Sequence, residues 1–273
     1  MSAMDVDTSP PFALSATLSG HEQDVRAVSS MADGAVLTAS RDSSVKVWRR
    51  SSDEEGAAYT STTLLGHTHY VIAVAATPTG IASGSNDKHV IEWDLSTSLP
   101  ARVLEGHTNT VSCVAYSPSS NTLLSASWDS TVKVWKEGAC LYTLKGHEAT
   151  IWCVLPVEDE EGHVLTASGD RTYALAAPPR LSHTQHARTH FFSRSHPPPF
   201  HPPLSLSTQN SIKRWKAATC VQTYTGHTDV VRSLALVEGI GFLSASNDGT
   251  VRLWEMVSGN CLNVLHASES FLY

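Results

Sequence analysis

Apolar residues in this chain fall in short alternating runs, and the runs recur as a fixed unit. Each unit opens on a Gly-His pair: Gly20-His21, Gly66-His67, Gly106-His107, Gly146-His147 and Gly226-His227. An alternating apolar stretch follows, then a Ser-x-Asp turn, then a strand ending in Trp, such as Val132-Lys133-Val134-Trp135. Period-two alternation between turn residues predicts short antiparallel strands, four to a unit. The Gly-His pairs are spaced 46, 40, 40 and 80 residues apart. The last step is twice the usual one, so the fourth unit is interrupted.

The residue types explain why the unit recurs. Five sets stand at matching offsets: His21, Ser40, Asp42 and Trp48; His67, Ser85, Asp87 and Trp93; His107, Ser127, Asp129 and Trp135; His147, Ser168, Asp170 and Trp215; His227, Ser246, Asp248 and Trp254. The His is expected to hydrogen-bond the turn Asp, with the Ser hydroxyl and the indole N–H extending that bond inward. A buried polar network holds a fold together only when every member is satisfied. A Ser-His-Asp trio also suggests a hydrolase triad, but an enzyme needs one site and a fold needs the bond in every unit. A period of about 40–45 residues with these markers is the WD40 signature. The fold class expected is all-β: a WD40 β-propeller with about five blades of seven present and the ring incomplete.

Composition narrows the partners. The chain has 273 residues, 41% hydrophobic, and a net charge of −7. An acidic balance argues against nucleic acid, which wants a basic face. No apolar run reaches the ~18–20 residues that span a bilayer, so no membrane partner is expected. No cofactor and no metal site are implied. Cys113 and Cys153 share one repeat position and Cys140, Cys220 and Cys261 another, which reads as small buried hydrophobes rather than a disulfide or metal framework. The N-terminus lacks a secretory pattern. A reducing location follows, cytoplasmic and nuclear.

The fourth unit breaks after Asp170-Arg171-Thr172 and resumes at Ile212-Lys213-Arg214-Trp215. Removing 173–211 restores the match. That insert is rich in Pro, Ser, Phe and His (His183, His186, His190, His196, His201), with no strand alternation. Three readings stand: a translated intron, whose boundary codons permit in-frame removal; a disordered loop; and a His-rich metal loop, whose spacing fits no compact site. The organisation expected is a disordered N-terminus over 1–12, blades one to the first part of four over 13–172, the insert over 173–211, and the rest of blade four, blade five and the start of blade six over 212–273. Ala13 to Leu18 reads as an outermost strand without its own blade, and the open strand edges predict poor solubility.

Certain runs resemble one family. Ser127-Trp128-Asp129, Val134-Trp135, Cys140, Thr143-Leu144-Lys145-Gly146-His147 and Ile151-Trp152 resemble the third-to-fourth blade of the phospholipase A-2-activating protein family. Gly226-His227, Asp229, Val231-Arg232, Phe242-Leu243-Ser244 and Asn247-Asp248 are similar to its fifth blade, and Gly20-His21-Glu22, Asp24-Val25-Arg26 and Thr38-Ala39-Ser40-Arg41-Asp42 to its first. The resemblance covers roughly 14–172 and 212–273. It implies a seven-bladed propeller that binds ubiquitin, followed by a ubiquitin-binding domain and a helical-repeat domain gripping a Cdc48-type segregase. Those two domains are absent from this chain, so segregase binding does not carry over, whereas ubiquitin or ubiquitinated proteins do. The function implied is a non-catalytic adaptor in ubiquitin-dependent protein degradation and ubiquitin homeostasis. The alternatives are a general WD40 scaffold for another protein or, remotely, a metal-dependent enzyme using the insert. No Gly-x-Ser-x-Gly lipase motif occurs.

Three positions per blade should emerge at the end holding the Asp turns: the residue before the Asp, and those flanking the first Val or Ile after Gly-His. The partner-binding candidates are Asp24, Arg26 and Arg41; Tyr70, Ile72 and Asn86; Trp128; Trp152; and Arg232 and Asn247. Thr110, Ser112, Thr150, Gly169 and Val230 fill the remaining places. Tyr70, Ile72, Trp128 and Trp152 fall on three successive blades. Large apolar side chains there suggest either a partner surface or a plug for the central channel. Asp53-Glu54-Glu55 and Glu158-Asp159-Glu160-Glu161 read as solvated loops at the opposite end.

Overall fold

The computed structural model describes Leu14, 16–51, 58–157, Asp159, 162–170 and 210–266. Every regular element among these residues is a β-strand. The first sheet holds β1 (Val25–Ser30), β2 (Val36–Ser40), β3 (Ser44–Arg50) and β4 (Tyr59–Leu65). The second holds β5 (Val71–Thr77), β6 (Gly80–Ser85), β7 (Val90–Asp94) and β8 (Leu99–Leu104). The third holds β9 (Val111–Ser117), β10 (Thr122–Ser127), β11 (Thr131–Lys136) and β12 (Ala139–Lys145). The fourth holds β13 (Ile151–Pro156), β14 (His163–Ser168), β15 (Asn210–Lys216) and β16 (Thr219–His227), and the fifth β17 (Val231–Val237), β18 (Gly241–Ser246), β19 (Thr250–Glu255) and β20 (Cys261–His266). Each sheet is an antiparallel meander in chain order.

The innermost strands pack in series, β1 on β5, β5 on β9, β9 on β13 and β13 on β17. Among the described residues no comparable packing returns β17 to β1. Apolar clusters fill the four junctions between successive sheets. Leu37, Val45 and Leu64 of the first sheet, for example, meet Val71, Val74 and Trp93 of the second. Leu124, Val132 and Leu144 of the third meet Ile151 and Val154 of the fourth. A middle strand is covered on both faces, which is why β6, β10 and β14 are buried at every position. Removing such a Leu or Ile from water stabilises the fold by roughly 1.5–3 kcal/mol.

The interrupted sheet is whole. Ala167 pairs with Ile212 and Val164 with Trp215, matching Ala126 with Val132 and Leu123 with Trp135 in the third sheet. The strand begins earlier than the repeat pattern implies. Asn210 and Ser211, expected inside the insert, open β15. The hydroxyl of Ser211 donates to Asp170 at 2.5 Å, as Thr131 does to Asp129 at 2.6 Å. Ser211 thus fills the place expected for Thr172, which lies outside the described residues together with the rest of 171–209, the five insert histidines and 1–13.

Two further expectations are corrected. No strand forms among the described residues of 13–18, and Leu14 is exposed. A strand needs a neighbour to accept its backbone groups, and all five sheets already hold four strands. Of the cysteines only Cys113 and Cys153 are half-buried; Cys140, Cys220 and Cys261 are exposed, because the outermost strand faces solvent. Asp53-Glu54-Glu55 and most of the second acid run lie outside the described residues. Asp159 accepts a hydrogen bond from His163 at 2.6 Å.

Candidate partner-binding face

The end of the molecule that carries the candidates is built by a relay repeated in all five sheets. His21 Nδ1 lies 2.7 Å from Asp42 Oδ2, and its Nε2 lies 2.7 Å from the hydroxyl of Thr38. Trp48 donates its indole N–H to the same hydroxyl at 2.8 Å. An indole N–H only donates. The hydroxyl therefore accepts from Trp48; with a neutral ring protonated at Nδ1 it donates to Nε2, while Nδ1–H donates to the carboxylate. The same chain runs through Ser83, Ser125, Thr166 and Ser244 in the other sheets. The linking hydroxyl is thus not the turn serine that the repeat pattern suggests. Ser40, Ser85, Ser127, Ser168 and Ser246 sit two residues further on. Each accepts the N–H of its Asp and donates to the loop before the inner strand, as Ser40 does to Gln23.

Burial and hydrogen bonding set the protonation states. Burial alone would raise the Asp87 carboxyl. His67 and the N–H groups of His89 and Thr68 outweigh it and hold Asp87 at about 2. Asp248 is likewise opposed by burial and held at about 2 by Thr250, the Thr228 N–H and His227. Asp42, Asp129 and Asp170 shift downward for the same reasons. Burial pushes His147 and His227 below the ordinary value, against the pull of their carboxylates. In these two relays the shifts favour a neutral His beside an ionised Asp. The glycine before each His leaves room for the Trp edge: a Cβ on Gly66 would stand 3.0 Å from Trp93 and one on Gly146 3.1 Å from Trp215.

Two backbone features then place the candidate side chains. The residue before each Asp donates its N–H to the residue before each inner strand: Arg41 to Asp24, Asn86 to Tyr70, Trp128 to Thr110, Gly169 to Thr150 and Asn247 to Val230. The register also shifts at the second residue of every inner strand, Arg26, Ile72, Ser112, Trp152 and Arg232. A bulge re-aims the side chain it carries. This one recurs five times, and the alternation of apolar residues gives no sign of it.

The structure brings most of the candidates together. Arg26, Arg41, Tyr70, Ile72, Asn86, Trp128 and Trp152 line one cavity of about 300 Å³. Trp128 and Trp152 pack at 5.2 Å between ring centroids. The Arg232 guanidinium lies 3.9 Å from the Trp152 ring centroid, and Arg232 donates to Asn247 at 3.1 Å. Arg41 lies 5.7 Å over Tyr70 and pairs with Asp24 at 3.0 Å. Cations over aromatic faces are favoured. Tyr70 is exposed, but Ile72, Trp128 and Trp152 are half-buried walls rather than open patches. Thr110 and Ser112, expected at the surface, are buried; Thr110 donates to Asn86 and Ser112 to Ile151. Glu22 and Glu148, exposed in the loops that join sheets at this end, were not among the candidates, although the acidic residue after Gly-His was visible in the sequence. No group of His, Cys, Asp and Glu suited to a metal occurs among the described residues.

Five antiparallel four-stranded sheets, each tied by a His–Asp–hydroxyl–Trp relay and presenting loops at one shared end, define a propeller-type interaction platform. The WD domain, G-beta repeat family matches residues 12–49, 59–94, 98–136, 138–173 and 218–255, and the chain belongs to it. Within that family it is similar to protein DOA1 of Saccharomyces cerevisiae, 32% identical over 96% of this chain and 31% of the relative. It is also similar to the ubiquitin fusion degradation protein 3 homolog of Caenorhabditis elegans, 28% identical over 99% and 28%. The phospholipase A-2-activating protein of Xenopus laevis is 37% identical over 52% and 19%. The crystal structure of the WD40 β-propeller domain of Doa1 superposes with a TM-score of 0.74 at 30% identity, covering 95% of this chain and 74% of that one. The chain spans about a third or less of the length of these full-length relatives.

Proposed function

We propose that the chain is a non-catalytic, ubiquitin-binding platform of a ubiquitin-degradation adaptor, acting in the cytoplasm and nucleus. The observation that carries this is the single cavity lined by Tyr70, Ile72, Trp128 and Trp152 at the end where the blade loops converge. Aromatic anchors in a concave, water-poor centre are the usual carriers of protein-binding energy. Ubiquitin presents an apolar patch ringed by basic residues. The aromatic centre suits the patch, and the exposed acids Glu22, Asp24 and Glu148 at the same end suit the ring. The name of the nematode relative, a ubiquitin fusion degradation protein homolog, supports the same reading. Segregase binding belongs to domains outside this chain.

The test is a titration of the folded chain with monomeric ubiquitin. Replacing both indoles (Trp128→Ala with Trp152→Ala) is expected to raise Kd at least tenfold, while the far-ultraviolet circular dichroism of the sheets is unchanged. Equal affinity in a folded double variant removes ubiquitin from this face.

A further inference from the structure

The chemistry of the central cavity goes beyond an apolar anchor and does not depend on the ubiquitin reading. Two guanidiniums, Arg26 and Arg41, line it and, among the described residues, no carboxylate does, in a chain whose net charge is −7. Arg41 already pairs with Asp24, but both side chains are largely exposed, and such a pair holds its partners weakly. Arg26 has no ion pair or hydrogen bond with any described residue. The indole N–H groups of Trp128 and Trp152 are buried and also without a partner among the described residues. With almost no accessible surface, these N–H groups lie out of a ligand's reach, and the two indoles contribute their faces to the walls. The Asn86 carbonyl oxygen already receives the Thr110 hydroxyl, and the Tyr70 hydroxyl both donates and accepts. The walls therefore offer two guanidiniums beside Ile72, Tyr70 and two indole faces.

We propose that this cavity is a subsite for a peptide carrying one anionic side chain flanked by aliphatic residues. The guanidinium of Arg26 receives the anion, and the aromatic walls receive the neighbouring aliphatic groups. Charge-assisted hydrogen bonds from guanidinium to an oxyanion are the strong ones, and a half-enclosed site screens them less than open solvent does. A carboxylate and a phosphate present the same oxygen acceptors, so the two sources are separated by experiment.

The test uses the full chain and three fluorescein-labelled, capped peptides of sequence Gly-Ser-Leu-X-Leu-Ser-Gly, where X is Asp, Asn or phosphoserine. Fluorescence anisotropy is read at about 150 mM salt. The Asp or the phosphoserine peptide is expected to bind at least tenfold tighter than the Asn peptide, and the tighter of the two identifies the source. Arg26→Gln should bring the anionic peptide to the level of Asn; Arg26 has no partner to lose among the described residues, so the fold is expected to stand. Equal binding of all three peptides, no binding by any, or an Arg26→Gln variant that still discriminates would overturn the proposal. Ubiquitin titrated into the same samples reads the other function separately: peptide discrimination without ubiquitin binding leaves this subsite standing, and the converse removes it alone.

Discussion

Ser125 and Ser127 stand two residues apart on one strand, and they do different work. Ser125 joins His107 to Trp135 inside the sheet. Ser127 closes the turn by accepting the Asp129 N–H. Period two puts both hydroxyls on the same face, so sequence alone cannot say which is the link. The turn position is Ser in every repeat, whereas the linking position is Thr in two repeats and Ser in three; the uniform column is the one that stands out. The structural consequence is measurable. Ser125→Ala strips a partner from two buried groups, the indole N–H and His107 Nε2, and is expected to cost about 2 kcal/mol. Ser127→Ala is expected to cost about 1 kcal/mol, since it removes the buried hydroxyl that links the Asp129 N–H to the Asn109 carbonyl. Urea denaturation of the two variants checks the order.

The five relays also give the chain a pH profile. A carboxyl whose folded value lies below its unfolded one stabilises the fold above the unfolded value, and that stability is lost as pH falls through the folded one. For Asp87 and Asp248 the window runs from the ordinary 3.8 down to about 2, on the order of 2 kcal/mol each. His147 and His227, buried neutral, act earlier. Their folded values lie below the ordinary 6.5, so the unfolded chain takes up protons first and stability begins to fall below that pH. Thermal melts between pH 8 and 3 are therefore expected to show a shallow decline from about 6.5 and a steep one below 4. A flat profile down to pH 4 would show that His147 and His227 take up protons in the fold as readily as in the unfolded chain.

At the scale of elements, strands, turns and sheet order were legible because alternation, the Gly-His pairs and the Asp turns repeat in phase. The exact seam of the fourth unit was not. Thr172-Ile212 and Ser211-Ile212 are equivalent joins by pattern, since Ser and Thr serve alike after the turn, and the structure uses Ser211. Joining Asp170 directly to Asn210 then leaves Asp-Asn-Ser-Ile in place of the Asp129-Ser130-Thr131-Val132 of the third sheet. The middle residue there has positive φ at Ser130 and likewise at Ser43 and Lys88, and Asn tolerates that region better than most residues. A variant lacking 171–209 is expected to keep the fourth sheet and to melt no lower than the parent, because a shorter connection between paired strands costs less chain entropy to close. A lower melting temperature would mean that the deleted residues contribute contacts of their own. The inner-strand bulges stayed hidden for a different reason. They add no turn residue and leave the apolar positions on either side intact, yet they decide that Arg26, Ile72, Trp152 and Arg232 reach the binding end.

At the scale of the whole molecule, the four internal junctions show what each sheet face is made to meet. Val71 and Val74 are buried against the first sheet, and Val111, Val114, Ile151 and Val154 are buried in the same way. Their counterparts on β1, Val25 and Val28, are 51% and 70% exposed. At the other end Leu265 is 53% exposed, where Leu64, Leu104 and Leu144 are at most 3%. Both end faces thus carry the residues of an interior junction with nothing among the described residues covering them. Contiguous apolar surface of this kind drives association, and a leading face that fits a trailing face meets it head to tail, which does not close on itself at two copies. The chain as given is expected to show concentration-dependent growth of its sedimentation coefficient in the micromolar range. Val28→Ser with Leu265→Ser should suppress that growth while leaving the relays and the central cavity intact, since neither residue contributes to them. Sedimentation that is independent of concentration in the parent chain would show that the end faces are not sticky enough to matter, and that the four internal junctions alone make the five sheets a stable unit.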